Sequence, residues 1–333
     1  MKLTFEQIKG ALTGAVDAEI TEGYIRPLRY NEREREEYLT KRGGYHYQLV
    51  SSSGIKLRFV TDSGNLYIRT SHKQGSSRNY YSIDLFVDGK YIGSADNFSE
   101  VTVPKAYSGL SLPLEKLEKC FSLGKGRKEV CIYLPWSVSC DIEEISLDDA
   151  AEYSPVKRNR TVLFYGDSIT QGYDAMRPSN KYTSLIADML DAEEYNKGYG
   201  ADFCFPELAA VKNDISPDYI FIAYGTNDWW SHTRDGFTMR YKAFLENVTN
   251  NHPDAKVFAI TPIWRKDHIE EKSFGSFSAV EDIIRNVSEG FENVKVIRGF
   301  ELVPQNEDMY ADLRLHPNDE GFVRYAENLY KEM

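Results

Sequence analysis

The stretch Thr161-Val162-Leu163-Phe164-Tyr165-Gly166-Asp167-Ser168-Ile169-Thr170 reads as a strand that runs into a serine. Residues 161–165 form a short apolar run without alternation, the pattern of a strand buried on both faces of a parallel sheet. In such sheets ligands sit beyond the C-terminal ends of the strands, so a hydroxyl at Ser168 occupies a natural nucleophile position. Asp167 and Ser168 could equally satisfy backbone donors at a turn or helix cap. Thr170 stands where the G-x-S-x-G nucleophile elbow has its second glycine, which speaks against an ordinary α/β-hydrolase.

Downstream the same rhythm repeats. Apolar runs at 219–224, 256–260 and 294–297 alternate with helical stretches near 181–190, 205–212, 236–250, 278–290 and 319–331, which predicts a three-layer α/β domain. Upstream the rhythm differs. Alternating runs at 55–60, 65–69, 82–87, 130–134 and 139–145 are separated by turn residues, and Asp88-Gly89 marks a hairpin between 81–87 and 90–93. A β-sandwich of about eight strands is expected there, with one short helix at 32–39. The change falls at Pro155-Val156-Lys157-Arg158-Asn159-Arg160, which divides the chain into a sandwich domain at 1–156 and an α/β domain at 157–333.

Composition narrows the function. Of 333 residues, 41% are hydrophobic and 27% charged, the balance of a globular protein. The net charge of −11 disfavours tracking a phosphate backbone, so no nucleic-acid partner is expected. The longest clean apolar run, 219–224, is far short of a membrane span. The first nine residues carry acid and base where a signal peptide would be apolar, and a cytoplasmic location follows as the expectation. The four cysteines, Cys120, Cys131, Cys140 and Cys204, lack metal-ligand spacing and read as structural thiols. Neither a metal nor a cofactor is expected. Lys125-Gly126-Arg127-Lys128 reads as a solvated hairpin tip, because no phosphate-loop helix follows it.

Three further stretches could face the same crevice as Ser168. Asn196-Lys197-Gly198-Tyr199-Gly200 follows a second strand, and a glycine there would let a backbone N–H approach a reacting atom. Tyr224-Gly225-Thr226-Asn227-Asp228 offers the Asn227 amide, which could also be a turn residue. Asp312-Leu313-Arg314-Leu315-His316-Pro317-Asn318-Asp319 brings a histidine just ahead of the last helix, with Asn318 or Asp319 as its cap. Trp229, Trp230 and Trp264 lie on strand-end loops, where they could wall a pocket or simply pack, and His232 follows the first pair. His46, His72, His252 and His268 have no acid–base partner in sequence.

Taken in order, the four stretches resemble the blocks of the SGNH (GDSL-type) hydrolases, through Ser168, Gly198, Asn227 and His316. The first half resembles the jelly-roll-like β-sandwich that precedes this flavodoxin-like domain in some bacterial carbohydrate esterases. The resemblance implies Ser168 as the nucleophile and His316 as general base and later acid. It also implies an oxyanion hole from Ser168 N–H, Gly198 N–H and the Asn227 amide. The chain departs from the family at the third triad position, three residues before the histidine, where Leu313 stands. Either the loop bulges to bring Asp312 to His316, or a dyad operates with another acceptor. The implied function is removal of small acyl groups, acetyl foremost, from hydroxyls of a small-molecule or oligosaccharide ester. A lipase or thioesterase with the same residues, or a non-catalytic carbohydrate-binding protein, are the alternatives.

Overall fold

Two antiparallel sheets build the first half of the computed structural model, in which residues 1–44 and 46–333 are described. One runs, in spatial order, Leu12–Thr13, Lys56–Thr61, Lys128–Tyr133, Ser82–Val87 and Lys90–Asp96, with Ser154–Pro155 also paired to Lys56–Thr61. The other runs Asp17–Ile20, Ile25–Leu28, Asp141–Leu147, Asn65–Ser71 and Leu117–Ser122. Alternation turns one side of each strand inward. Leu57, Phe59, Leu85 and Ile132 from the first sheet thereby meet Ile25, Leu66, Ile68 and Ile142 from the second in one core. The Asp88-Gly89 hairpin forms as expected, with both residues in the left-handed region at φ 48° and 74°. The helix expected at 32–39 spans Glu32–Lys41.

The expected hairpin tip at 125–128 is not one. Leu117–Ser122 and Lys128–Tyr133 lie in different sheets, so the segment crosses from one to the other. Leu117 and Phe121 on one side, and Val130 and Ile132 on the other, bury against the same core from opposite faces. Lys128 is buried, its Nζ donating to Ser63 O at 2.6 Å and Gly124 O at 2.9 Å. Cys120 is exposed, whereas Cys131, Cys140 and Cys204 are buried.

The second half is a parallel sheet with helices on both faces. Its strands lie in the order Ala192–Gly198, Arg160–Gly166, Tyr219–Ala223, Lys256–Ile260, Val294–Ile297. This is the flavodoxin-like 2-1-3-4-5 order, whose switch point lies at the first strand. Burial on both faces explains the unbroken apolar runs of the inner strands, while Val294–Ile297, at the sheet edge, keeps Lys295 exposed. Phe164, Phe221 and Phe258 stack across one face, with centroids 5.1 and 4.9 Å apart, while Leu163, Ile220 and Ile222 fill the other. Gly166 registers with Gly198 on one side and Ala223 on the other, so three strands end level. Asn196, Lys197 and Gly198 thus belong to the strand itself rather than following it. Among the described residues no helix is long and apolar enough to cross a membrane.

Ala192–Gly198 is an edge strand, and its open edge is covered by the first half of the chain. An uncovered edge is a template for aggregation, and side chains here occupy it. The Arg29 guanidinium, 1% exposed, donates to Asn196 O at 3.0 Å and Gly198 O at 2.8 Å, as well as to Ser51 O at 3.0 Å. Tyr30 OH donates to Lys197 O at 3.1 Å. Ion pairs join the halves as well, a buried one between Lys197 and Glu34 at 2.6 Å and a partly exposed one between buried Lys56 and Asp188 at 2.9 Å.

Candidate active site

Ser168 opens the four-residue helix Ser168–Gln171, directly beyond the Arg160–Gly166 strand. Asp167 caps that helix, its Oδ1 accepting from Ile169 N at 2.9 Å. Ser168 Oγ lies 2.9 Å from His316 Nε2, and His316 Nδ1 lies 2.9 Å from Asp312 Oδ2. The bulge that the sequence left open is present. Leu313 sits in the left-handed region at φ 55°, which folds the loop back on itself. Asp312 Oδ1 then accepts from Arg314 N, Leu315 N and His316 N at 2.9, 2.7 and 3.1 Å. One carboxylate oxygen holds the loop and the other meets the imidazole.

A second carboxylate stands beside the ring. Asp174 Oδ2 is 3.5 Å from His316 Nδ1, and Asp174 is fully buried. Its oxygens accept from Arg78 Nε at 2.6 Å, Ser108 Oγ at 2.7 Å and the Tyr80 hydroxyl. Asp174, Asp312 and His316 lie close enough to share a cation, but hydrogen bonds to Arg78, Ser108 and Tyr80 already occupy the Asp174 oxygens. Burial alone would lower the basicity of His316. The Asp312 hydrogen bond and the charges of Asp174 and Asp312 outweigh it, so the imidazole is raised above its ordinary value. Burial likewise opposes ionisation of Asp312. The His316 hydrogen bond and charge, with two backbone N–H groups, nonetheless hold that carboxyl well below the usual range.

Three N–H donors border the cleft above Ser168. Ser168 N–H, at the first helical position, and Ala201 N–H have no acceptor among the described residues. Asn227 Nδ2 uses one hydrogen on Asp202 O at 2.8 Å, which leaves the other for a ligand. Gly198, expected as a donor, does not join them. Its N–H is taken by Asn196 Oδ1 at 2.8 Å, and a Cβ there would lie 2.3 Å from Gln171 N. The glycine is required where the strand passes under the helix backbone, and the N–H without an acceptor among the described residues lies three residues on, at Ala201. Ala201 holds φ 59°, in the left-handed region.

The cleft has a volume of about 240 Å³ and is lined by Ser168, Tyr173, Ala201, Asn227, Leu315 and His316 from the second half. Tyr47, Gln48, Ser77 and Arg78 from the first half complete it. The expected aromatic contacts are elsewhere. Trp229 is completely buried, its Nε1 donating to Gly275 O at 2.8 Å, and Trp264 packs on Tyr310. Trp230 is exposed but sits under Lys272 Nζ at 3.9 Å, outside the cleft lining. His232 pairs with Asp228 at 3.1 Å and lies against Phe203. Tyr173 takes the aromatic role instead, stacked on His316 with centroids 5.6 Å apart.

Residues 164–323 match the GDSL-like Lipase/Acylhydrolase family. The second half of the chain is a GDSL-like lipase/acylhydrolase domain. The GDSL-like domain places the protein among hydrolases of carboxylic esters. No curated protein matches the sequence. Among solved structures, the salicylyl-acyltransferase SsfX3 from a tetracycline biosynthetic pathway aligns at TM-score 0.77 and 22% identity, covering 97% of this chain and 94% of its own. A carbohydrate esterase family 2 enzyme with a carbohydrate-binding domain, from Corynascus thermopiles (Myceliophthora fergusii), aligns at TM-score 0.61 and 17% identity, over 85% of this chain and 94% of its own. The acetyl xylan esterase Est2A from the rumen bacterium Butyrivibrio proteoclasticus aligns at 0.57 and 17%, over 85% and 90%. At these identities the likeness is one of fold.

Five residues at the site of the GDSL-like domain escaped the sequence reading: Ala201, Tyr173, Asp174, Gln48 and Arg78. Ala201 lies one residue past the stretch that held Gly198, and locating the strand end at Gly198 would have pointed to it. Tyr173 and Asp174 sit within six residues of Ser168. Gln48 and Arg78 come from loops of the first half, and nothing local in sequence marks their approach.

Proposed function

We propose that the protein is a serine esterase that removes small acyl groups, acetyl foremost, from hydroxyls of a carbohydrate. The observation that carries this reading is the relay from Ser168 Oγ through His316 to Asp312, with 2.9 Å at each step, beside three N–H donors. His316 Nε2 accepts the Ser168 proton as Oγ attacks the ester carbonyl. Asp312 keeps Nδ1 protonated and stabilises the imidazolium. Ser168 N–H, Ala201 N–H and Asn227 Nδ2 stabilise the oxyanion, each such donor being worth about 10²–10³ in rate. Collapse breaks the bond to the alkoxy oxygen, which leaves with the proton from His316. Water then attacks the acyl-Ser168 ester by the same steps in reverse roles, releasing the carboxylic acid.

A small acyl group suits a cleft of about 240 Å³ whose aliphatic surface comes from Ala201 and Leu315. Its polar lining, Ser77 and Arg78, suits an oxygen-rich alcohol such as a sugar. The likeness in fold to a family 2 carbohydrate esterase and to an acetyl xylan esterase supports the same choice. A second reading is acyl transfer to an alcohol, favoured by the likeness to a salicylyl-acyltransferase over nearly the whole chain. Mass analysis of products from a panel of acetylated oligosaccharides, with and without an alcohol acceptor, separates the readings. Free acetate and deacetylated sugar at all acceptor concentrations support the esterase. Turnover of long-chain acyl esters only, or acyl product that appears only with acceptor, overturns it.

A further inference from the structure

We infer that Gln48, which the first half of the chain contributes, is a positioning residue for the oxyanion hole of the GDSL-like domain. The inference rests on the reading of Ala201 N–H as an oxyanion donor. Gln48 belongs to the short helix His46–Val50 and is 2% exposed. Its amide grips the residue before Ala201 from both sides, Nε2 donating to Gly200 O at 3.0 Å and Oε1 accepting from Gly200 N at 2.8 Å. Gly200 O and Ala201 N–H belong to one planar trans peptide, in which they point in opposite directions. Holding the carbonyl oxygen toward Gln48 therefore aims the Ala201 N–H the other way.

Everything around the grip reinforces it. Arg29 Nη2 donates to Gln48 O at 3.2 Å, tying Gln48 to the guanidinium that caps the edge strand. Tyr173 OH donates to Gln48 Oε1 at 3.1 Å, and the Tyr173 ring stacks on His316. Gln171, the last residue of the helix that Ser168 opens, accepts from Gly200 N at 2.7 Å. Gly200 O receives its donor from Gln48 alone among the described residues. A Cβ at Gly200 would lie 2.3 Å from both Gln48 Oε1 and Tyr173 OH, so the loop fits the amide without slack. The sandwich is thus part of the catalytic apparatus, since one of its side chains sets the direction of a transition-state donor.

The test compares Gln48→Met, which removes both hydrogen bonds to Gly200 together with the one from Tyr173 OH, and Gln48→Glu, which keeps an acceptor for Gly200 N and Tyr173 OH but faces Gly200 O with oxygen. Tyr133→Phe serves as a control, because it removes the hydrogen bond to Asp188, another contact between the halves, remote from Ser168. Both Gln48 variants are expected to lose about 10- to 100-fold in kcat on an acetate ester with KM changed less than about threefold, the pattern of a transition-state donor displaced by a fraction of an ångström. Affinity for a boronic acid transition-state analogue falls by the same factor. Tyr133→Phe lowers Tm and leaves both kinetic constants unchanged. Should Gln48→Met not fold, Gln48→Glu decides. A folded Gln48 variant with kcat within threefold of the parent, or with unchanged analogue affinity, overturns the inference. Ser168→Ala run alongside isolates the underlying reading: activity retained there defeats the esterase proposal, whereas activity lost there but kept in the Gln48 variant defeats only the role of Gln48.

Discussion

Asp312 shows at the scale of one residue how much a spacing can conceal. The resemblance placed an acid three residues before His316, and Leu313 stands there. The carboxylate four residues before reaches Nδ1 at 2.9 Å because its other oxygen organises the loop between them. Ser168, Asn227 and His316 were legible because hydroxyl, amide and imidazole at strand ends are chemically marked. Ala201 was not, since a backbone N–H leaves no trace in the side chain that carries it. If Asp312 orients His316, Asp312→Asn lowers kcat by about 10²–10⁴. The pH profile gives an independent reading. In the proposed mechanism the neutral imidazole is the base, and its pKa is raised, so kcat/KM should rise with pH through an inflection above the ordinary histidine value. Losing the carboxylate moves that inflection to lower pH. Unchanged kcat and inflection in Asp312→Asn would assign the orientation of His316 to Asp174, 3.5 Å away, or to no carboxylate at all.

Elements were legible where one face or both faces are uniformly apolar. Lys256–Ile260, Val294–Ile297 and Asp319–Lys331 fall where the pattern puts them, the last capped by Asn318 accepting from Gly321 N. The strand Ala192–Gly198 was cut short because Asn196 and Lys197 look like loop residues. They are buried, and their partners come from elsewhere: Asn196 Nδ2 donates to Thr170 O, and Lys197 pairs with Glu34 across the interface. The loop 312–316 makes a prediction at this scale. A left-handed conformation opposes most side chains and β-branched ones above all. Leu313→Gly should therefore keep kcat within about threefold, while Leu313→Val, of similar polarity, should lower kcat and Tm together. Equal kcat in both variants would mean that the bulge does not position Asp312.

For the whole molecule, the sequence suggested two domains in series and not a site shared between them. The composite character comes from long-range contacts, Arg29 on the edge strand, Gln48 on the Ala201 loop and Arg78 on Asp174, which no local pattern announces. Beneath them lies a buried cluster in which Glu194 pairs with Lys181 at 3.1 Å and lies 3.8 Å from Lys56 of the first half. Burial would raise Glu194, but the Lys181 and Lys56 charges and hydrogen bonds from Thr183 and Ser184 hold it at about 2. A depressed carboxylate stabilises the fold above its unfolded pKa of about 4.3, and that stability is lost as pH falls toward 2. Glu194→Gln leaves the buried Lys181 ammonium without its counter-charge, while Lys56 keeps Asp188 at 2.9 Å, a loss of about 3–5 kcal/mol near neutrality. Its deficit relative to the parent should shrink between pH 4.5 and pH 2, read as Tm against pH. A deficit constant over that window would remove Glu194 from the acid response.

In the proposed mechanism Ser168 becomes covalently acylated. Reaction with a serine-directed fluorophosphonate, followed by intact-mass measurement and peptide mapping, tests it most directly. One adduct per chain on the peptide containing Ser168, formed in proportion to lost esterase activity and absent from Ser168→Ala, is the expected result. Full turnover with Ser168 modified, or an inactivating adduct on another residue, would exclude Ser168 as the nucleophile.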